Sequence, residues 1–296
     1  MNYRSITVLS IMAAALVMAA CTKDDDRKDY PSTQPDQKVT NVYETSSIKT
    51  EIFVGKEWKT QKQQTNARIL KHEFFWEGNR LEGLDNHDRD FSYSFEYDDF
   101  GRIYRVICDG GRDFSRVLTY DDKGMLAHSE GTIKTGDAQL ISRESLDFTW
   151  ENGLLKTIEE DSWTKNEVEE GKEITRKGTR TYTWEGGNVV KTSRHIVTKD
   201  GDKESVDDCE YDIEYTNIDN PLHGFIFLIH PYTGIIFDFE GIDCLSKNLP
   251  SHITPSKDRV YDFSYSGSPI TNVKKTLVAE TPVLRLSLDY DLDFEY

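Results

Sequence analysis

The side chains of this chain best suited to chemistry are its carboxylates and its tryptophans. Asp98-Asp99 and Asp121-Asp122 are adjacent acidic pairs. Two carboxyls about 5–10 Å apart across a sugar can cleave a glycosidic bond. All four aspartates, however, stand in segments that read as tight turns. Asp is favoured there because its carboxylate bonds nearby backbone N–H groups. Calcium is a second use for acidic loops, since it takes oxygen ligands. Asp24, Asp25, Asp26 and Asp207-Asp208 lack the fixed spacing of a calcium loop. No metal and no cofactor are therefore expected. The seven histidines include no His-Glu-x-x-His pair for zinc. His223 and His230 are seven apart beside an apolar segment, so a helix would put them on one face. No Gly-x-Ser-x-Gly elbow and no phosphate-cradling Gly-rich loop occurs. These exclusions weigh against an enzyme.

The tryptophans divide into two sets. Trp76, Trp150 and Trp184 recur at one place in a repeated turn, which marks them as structural anchors. Trp58 and Trp163 lie outside that register. They are the candidates for stacking against a sugar ring.

Cys21 carries a different chemistry. It ends an apolar run, Ile6 to Ala20, that follows Arg4 and the amino terminus. Ala19-Ala20 supplies the small residues before a cleavage point, the build of a secretory signal peptide. At about 15 residues the run is short of the roughly 20 that a spanning helix needs. A cysteine directly after Ala-Ala resembles a bacterial lipoprotein signal, in which the chain is cut before that cysteine and its thiol is lipidated. Lys23 with Asp24, Asp25 and Asp26 resembles the surface-export signal of Bacteroidota lipoproteins. Residues 1–20 are thus expected to be a leader and Cys21 a lipid anchor in the outer membrane, facing outward.

The 36 basic and 53 acidic side chains give a net charge of −17. Such a chain repels phosphate backbones, so nucleic acid is excluded as a partner. The expected partners are the membrane, through the lipid, and a glycan or surface protein. Beyond Cys21 only Cys108, Cys209 and Cys244 remain, enough for at most one disulfide.

Residues 21–45 are polar, with Pro31 and Pro35, and predict a flexible acidic tether. From 46 to 296 the period is two. Phe91, Tyr93, Phe95 and Tyr97 alternate with Ser92, Ser94, Glu96 and Asp98. Leu286, Leu288, Tyr290, Leu292 and Phe294 alternate with Ser287, Asp289, Asp291 and Asp293. Side chains alternate faces along a strand, so each strand has an apolar and an acidic face. Between strands recurs an aromatic, an acid, a short stretch with Gly, then an aliphatic residue. Examples are Tyr97-Asp98-Asp99-Phe100-Gly101-Arg102-Ile103 and Tyr120-Asp121-Asp122-Lys123-Gly124-Met125-Leu126. Gly78, Gly101, Gly124, Gly153 and Gly187 are expected at the positive-φ position of hairpin turns. Residues 217–252 break the pattern with continuous apolar runs, Phe225–Ile229 and Ile235–Phe237, and predict a buried, partly helical insert. The fold expected is one all-β domain. Long antiparallel hairpins form a curved sheet or barrel-like shell around an aromatic core.

Tyr-Asp-x-x-Gly-Arg-Ile at 97–103 resembles the tyrosine-aspartate repeat of Rhs-type shell proteins. The repeat anchors Trp76, Tyr97, Tyr120, Trp150 and Trp184 lie 21, 23, 30 and 34 residues apart, too irregular for a regular Rhs cocoon. The lipoprotein start, the degenerate hairpins, Ser246 to Pro250 and the Tyr-rich last strand resemble an uncharacterised family of Bacteroides-type lipoproteins with a porin-like fold. That resemblance implies fold and compartment, not chemistry. Three functions stay in view: a non-enzymatic binding module, a hydrolase of extracellular polysaccharide, and an integral outer-membrane barrel. An aromatic terminal residue, Tyr296, suits the last. Against it, Arg176 and Arg180 fall in register with Ile174 and Tyr182, on what would be the lipid face.

Overall fold

The computed structural model describes residues 31–88, 90–110, 112–135, 140–166, 173–230, 241–255 and 259–296. The leader, Cys21, Lys23 and Asp24–Asp26 lie outside them.

The described chain is a single antiparallel sheet of seventeen strands. They are β1 Asn41–Val54, β2 Glu57–Thr65, β3 Ile69–Glu77, β4 Arg80–Asn86, β5 Phe91–Tyr97 and β6 Ile103–Gly110. Then come β7 Arg112–Tyr120, β8 Leu126–Thr135, β9 Leu140–Glu151, β10 Leu154–Asn166, β11 Glu173–Glu185 and β12 Asn188–Asp200. The last five are β13 Lys203–Asp219, β14 Asn248–Pro255, β15 Arg259–Ser266, β16 Asn272–Glu280 and β17 Leu284–Glu295. From β3 onward each strand pairs with the next, and β17 pairs back onto β1 over Asn41–Ile52. The sheet therefore closes into a barrel, in which β1 and every described strand from β3 onward have partners on both sides. On its other edge β1 pairs with β2 at Ser47–Val54 and with β3 at Asn41–Glu44. β2 and β3 thus share one place, and the seventeen strands fill sixteen positions.

The expected all-β barrel-like architecture is what the chain adopts. The alternation decides which face is inside. Phe74, Phe95, Leu118, Leu146, Phe148, Ile158, Tyr182, Ile213, Leu292 and Phe294 point inward and are buried. Outward positions on the same strands carry Thr181, Thr183, Asp208, Glu210 and Asp212, all exposed.

The repeated turns gather on one rim, and their residues link neighbouring hairpins. Gly78, Gly101, Gly124, Gly153 and Gly187 have φ of 59°, 78°, 79°, 78° and 84°. At the aromatic position of each repeat, a ring N–H or O–H donates to the backbone carbonyl of an aliphatic residue or proline one hairpin back. Trp76, Trp150 and Trp184 reach Val39, Leu126 and Leu155 at 2.7, 2.6 and 2.7 Å. Tyr97, Tyr120 and Tyr265 reach Leu81, Ile103 and Pro250. Tyr215 and Tyr296 reach Val189 and Ile270, each at 2.7 Å. The series runs from one hairpin to the next around the rim.

The insert follows β13 at this rim. It contains a 3-10 turn, Ile226–Ile229, and a short helix, α1 Ile242–Leu245. Phe225 and Phe227 pack on Phe95, at 5.8 and 5.3 Å between ring centroids. The Phe225–Ile229 run is continuous because it is buried within the aromatic core, as expected; Ile235–Phe237 lies outside the described residues.

The expected tether differs over its second half. Thr33, Val39 and Val42 are buried, and β1 starts at Asn41. Gln34 Oε1 accepts from Leu81 N at 2.9 Å, and Thr33 Oγ1 accepts from Ile103 N at 3.1 Å. Asp36 N donates to His223 O at 3.1 Å, and Gln37 N donates to Pro221 O at 3.2 Å. Thr33 and Gln34 are polar because their side chains satisfy backbone groups at the rim, while Asp36 and Lys38 remain exposed.

Candidate ligand site on the outer wall

Two sets of charged side chains occupy β7 to β13, one on each face. Arg116, Glu144, Glu160 and Arg180 face inward. Arg116 pairs with Glu144, and its Nη1 donates to Ser129 Oγ at 2.8 Å. Arg180 Nη2 lies 2.7 Å from Glu160 Oε2, and both residues are only 4 % exposed. The register of Arg176 and Arg180 with Ile174 and Tyr182 is as read from the sequence, but the shared face is the interior. His230 of the insert packs on Phe148, with ring centroids 6.4 Å apart. Its pKa is held well below the ordinary value, first by burial and then by Arg116 and Arg180. A neutral His230 sits beside the paired arginines without adding a buried charge. This network ties insert to wall and is closed off from a large ligand.

The outward set differs. Directly opposed residues form a row across six strands: His128, Asp147, Glu159, Thr179, His195 and Asp208. His128 Nδ1 and Asp147 Oδ1 are 2.7 Å apart, as are His195 Nδ1 and Asp208 Oδ1. One step along the wall, Lys177 Nζ lies 2.8 Å from Asp161 Oδ2. Here the surface forms a depression of about 470 Å³, lined by Asp147, Glu159, Asp161, Lys177, Thr179 and His195 among others. Gly178 lies at its floor. A Cβ there would come within 2.7 Å of Ile196 Cγ1 and 2.8 Å of the His195 carbonyl oxygen. Glycine is therefore what lets β11 and β12 close up behind the depression.

Trp163 belongs to this face. It is two residues past Asp161 on β10 and opposite Arg143, whose guanidinium lies 6.0 Å from the ring centroid. Trp58 is elsewhere, at the rim opposite the repeated turns, packed on Phe53 at 5.3 Å with Arg285 over its ring at 4.6 Å. The two tryptophans singled out from the sequence are not brought together. The turn aspartates serve the backbone. Asp98 Oδ1 accepts from Phe100 N and Arg102 N at 3.0 and 2.9 Å. Asp121 Oδ1 accepts from Lys123 N and Met125 N at 2.9 and 2.8 Å. Sequence reasoning missed Asp147, Glu159, Lys177 and His195 because strand registers, not local spacing, assemble them.

The depression has hydrogen-bond acceptors, one ammonium and a neighbouring indole. That set suits a polyhydroxylated ligand. Asp147 Oδ1 and Glu159 are cross-strand neighbours, but the Asp147 side chain is 65 % exposed and Glu159 is exposed as well. A general acid in a glycosidase needs a dry environment to stay protonated.

No protein-family model and no curated protein matches the sequence. Solved structures similar to this chain include two porin-like proteins. A porin-like protein from Bacteroides uniformis ATCC 8492 is 14% identical, with a TM-score of 0.47, over 91% of this chain and 99% of that one. A porin-like protein from Bacteroides vulgatus ATCC 8482 is 12% identical, with a TM-score of 0.43, over 84% of this chain and 97% of that one.

Proposed function

We propose that this chain is an outer-membrane lipoprotein whose barrel stands in water and binds glycan on its outer wall without catalysis. The polarity of the wall carries the reading. The outward faces of β9 to β13 hold Arg143, Asp147, Glu159, Asp161, Lys177, His195, Lys199 and Asp208 and only scattered apolar side chains such as Trp163, Val197 and Val206, while the buried apolar side chains turn inward. Each Arg or Lys on a lipid-facing barrel surface costs about 2–4 kcal/mol near the bilayer midplane. Several together would oppose insertion by on the order of 10 kcal/mol. The aromatic core and the insert also fill the interior at the turn-bearing rim. Membrane attachment then falls to the lipid on Cys21, and outward display to Lys23 and Asp24–Asp26.

The glycan assignment is supported by the polar groups of the depression and by Trp163, two residues along β10 from its Asp161. An indole face offers a pyranose ring an apolar platform, and carboxylates accept from vicinal hydroxyls. Exposure of Asp147 and Glu159 favours binding over hydrolysis.

A glycan array probed with the purified protein in detergent-free buffer tests both parts. The expected result is monodisperse protein, one retained glycan class, and loss of retention in Trp163→Ala and Glu159→Gln. Aggregation without detergent, with ion conductance in planar bilayers, would establish an inserted barrel instead. Turnover of a retained glycan would establish a hydrolase. Binding untouched by both variants would move the site off this wall.

A further inference from the structure

The outer wall carries several histidine–carboxylate pairs. His128–Asp147, His195–Asp208 and His252–Asp262 are each 2.7 Å apart, and His223–Asp36, at the rim, is 2.9 Å. Among the described residues, only one such pair gathers a third donor. Glu73, Asp85 and His87 offer ligand atoms that all lie within 4.8 Å of one another. We infer that Glu73, Asp85 and His87 form a surface binding site for a divalent transition-metal ion, of which Zn²⁺ is the best-fitting example.

The strands bring these residues together. Glu73 on β3 and Asp85 on β4 are direct partners in the ladder. His87 follows Asp85 by two residues and so shares its face. Its backbone N–H donates to Lys71 O at 2.9 Å, which holds the chain just beyond the paired strand. Zinc bonds to His nitrogen and carboxylate oxygen are about 2.0–2.2 Å, so donors around a tetrahedral ion stand about 3.3–3.5 Å apart. His87 Nε2 and Glu73 Oε2 are already 3.3 Å apart. The Asp85 carboxylate lies within 4.8 Å of both, a gap that side-chain rotation on binding would close. The mixed nitrogen and oxygen set favours a borderline ion such as Zn²⁺ over Ca²⁺, which takes oxygen alone. Two carboxylates neutralise the ion. Lys71, the nearest ammonium on β3, is engaged by Glu44 and does not compete. Three protein donors leave one position for water or for an oxygen of a ligand. Glu73 and Asp85 are half-buried and His87 is exposed, so the ion can enter from solvent.

The test is calorimetric titration of the purified protein with ZnCl₂, repeated with CoCl₂ and visible absorption as a coordination readout. One ion per chain is expected to bind with a micromolar Kd. His87→Ala and Asp85→Asn should each weaken that binding at least tenfold, with circular dichroism and melting of the metal-free protein unchanged. Asp85→Asn is nearly isosteric, so it separates ligand loss from misfolding. His195→Ala, which removes a two-donor pair, should leave this binding as it was. Zinc binding that is absent below millimolar concentration, or that survives either ligand variant within tenfold, overturns the site. Because the site is remote in sequence and register from the Asp147–His195 row, its failure leaves the glycan reading untouched.

Discussion

The Tyr215 hydroxyl donates to the Val189 carbonyl at 2.7 Å, the same link that every other repeat on the rim makes. Tyr215 leads into the insert instead of a tight turn, and the next strand resumes with Asn248. The insert is therefore an expanded hairpin turn. It is seated by its neighbours. Ser246 Oγ accepts from Val189 N at 3.1 Å, and Asn248 N donates to Asn188 Oδ1 at 2.8 Å. The rim links hold the hairpins in register while the insert fills the space they enclose.

Removing one link should register in stability. Tyr97→Phe deletes the donor to the Leu81 carbonyl while keeping the ring in the core. A buried acceptor left unmatched costs about 1–3 kcal/mol. Urea unfolding should show a loss in that range. Tyr104→Phe is the comparison, because its hydroxyl bonds exposed Glu96 at 2.7 Å on the outer face. That variant should stay within about 0.5 kcal/mol of the parent. Equal effects would mean that the rim links are incidental.

These relations show what the sequence could disclose. Tyr97, Gly101 and Ile103 lie within one turn, so their pattern was visible locally. The repeat containing Tyr215 was not, because the insert separates the tyrosine from Pro250. A period of two states which residues share a face, and the apolar set marks the inner one, but it does not say how a charged residue in that register is accommodated. Arg180 shows the difference, since its burial rests on Glu160, a residue 20 positions away. Gln34 and Thr33 looked like tether because their partners, Leu81 and Ile103, are 47 and 70 residues distant. The outer-wall depression needs three strand registers at once, and only Trp163 within that region stood out by residue type.

The early start of the fold makes a direct prediction about truncation. A chain beginning at residue 46 loses Val39 and Val42, both buried, and the carbonyl that Trp76 bonds at 2.7 Å. It also loses the β1 segment that pairs with β3. A chain beginning at residue 31 keeps all of these. The shorter form is expected to melt well below the longer one, or to be insoluble. Matching melting temperatures would show that residues 31–45 do behave as a tether.

Glycine substitutions should separate two kinds of constraint. At Gly101, with φ of 78°, an added Cβ would meet nothing within 4 Å. Gly101→Val should therefore cost about 1–3 kcal/mol through backbone strain alone. At Gly178 the problem is space, since the added carbon would press on Ile196 and on the His195 carbonyl. Gly178→Ala should destabilise the protein and also disturb the depression above it. The measurements are urea midpoints for both, with glycan retention for the second. Retention lost in Gly101→Val but kept in Gly178→Ala would contradict this division.

The rim tyrosines also predict how the protein responds to alkali. Burial pushes the Tyr97 hydroxyl up to about 12, with the Gln34 hydrogen bond acting weakly the other way. Burial raises Tyr120, Tyr215 and Tyr265 in the same direction. In the unfolded chain a tyrosine titrates near 10. Above that pH the unfolded state has released protons that the folded state still holds, so stability falls as pH rises. The stabilisation is complete below about pH 10 and is lost progressively as pH climbs through about 12. Neutral hydroxyls are also what the rim requires, because a phenolate cannot donate to a carbonyl. Urea midpoints should be level from pH 7 to about 9.5 and then drop steeply. Tyrosinate absorbance should rise in two stages, an early one for exposed side chains and a late one coincident with loss of β circular dichroism. A single titration of all tyrosines near pH 10, with the sheet intact, would show that the rim hydroxyls are solvated and that these links do not hold the barrel closed.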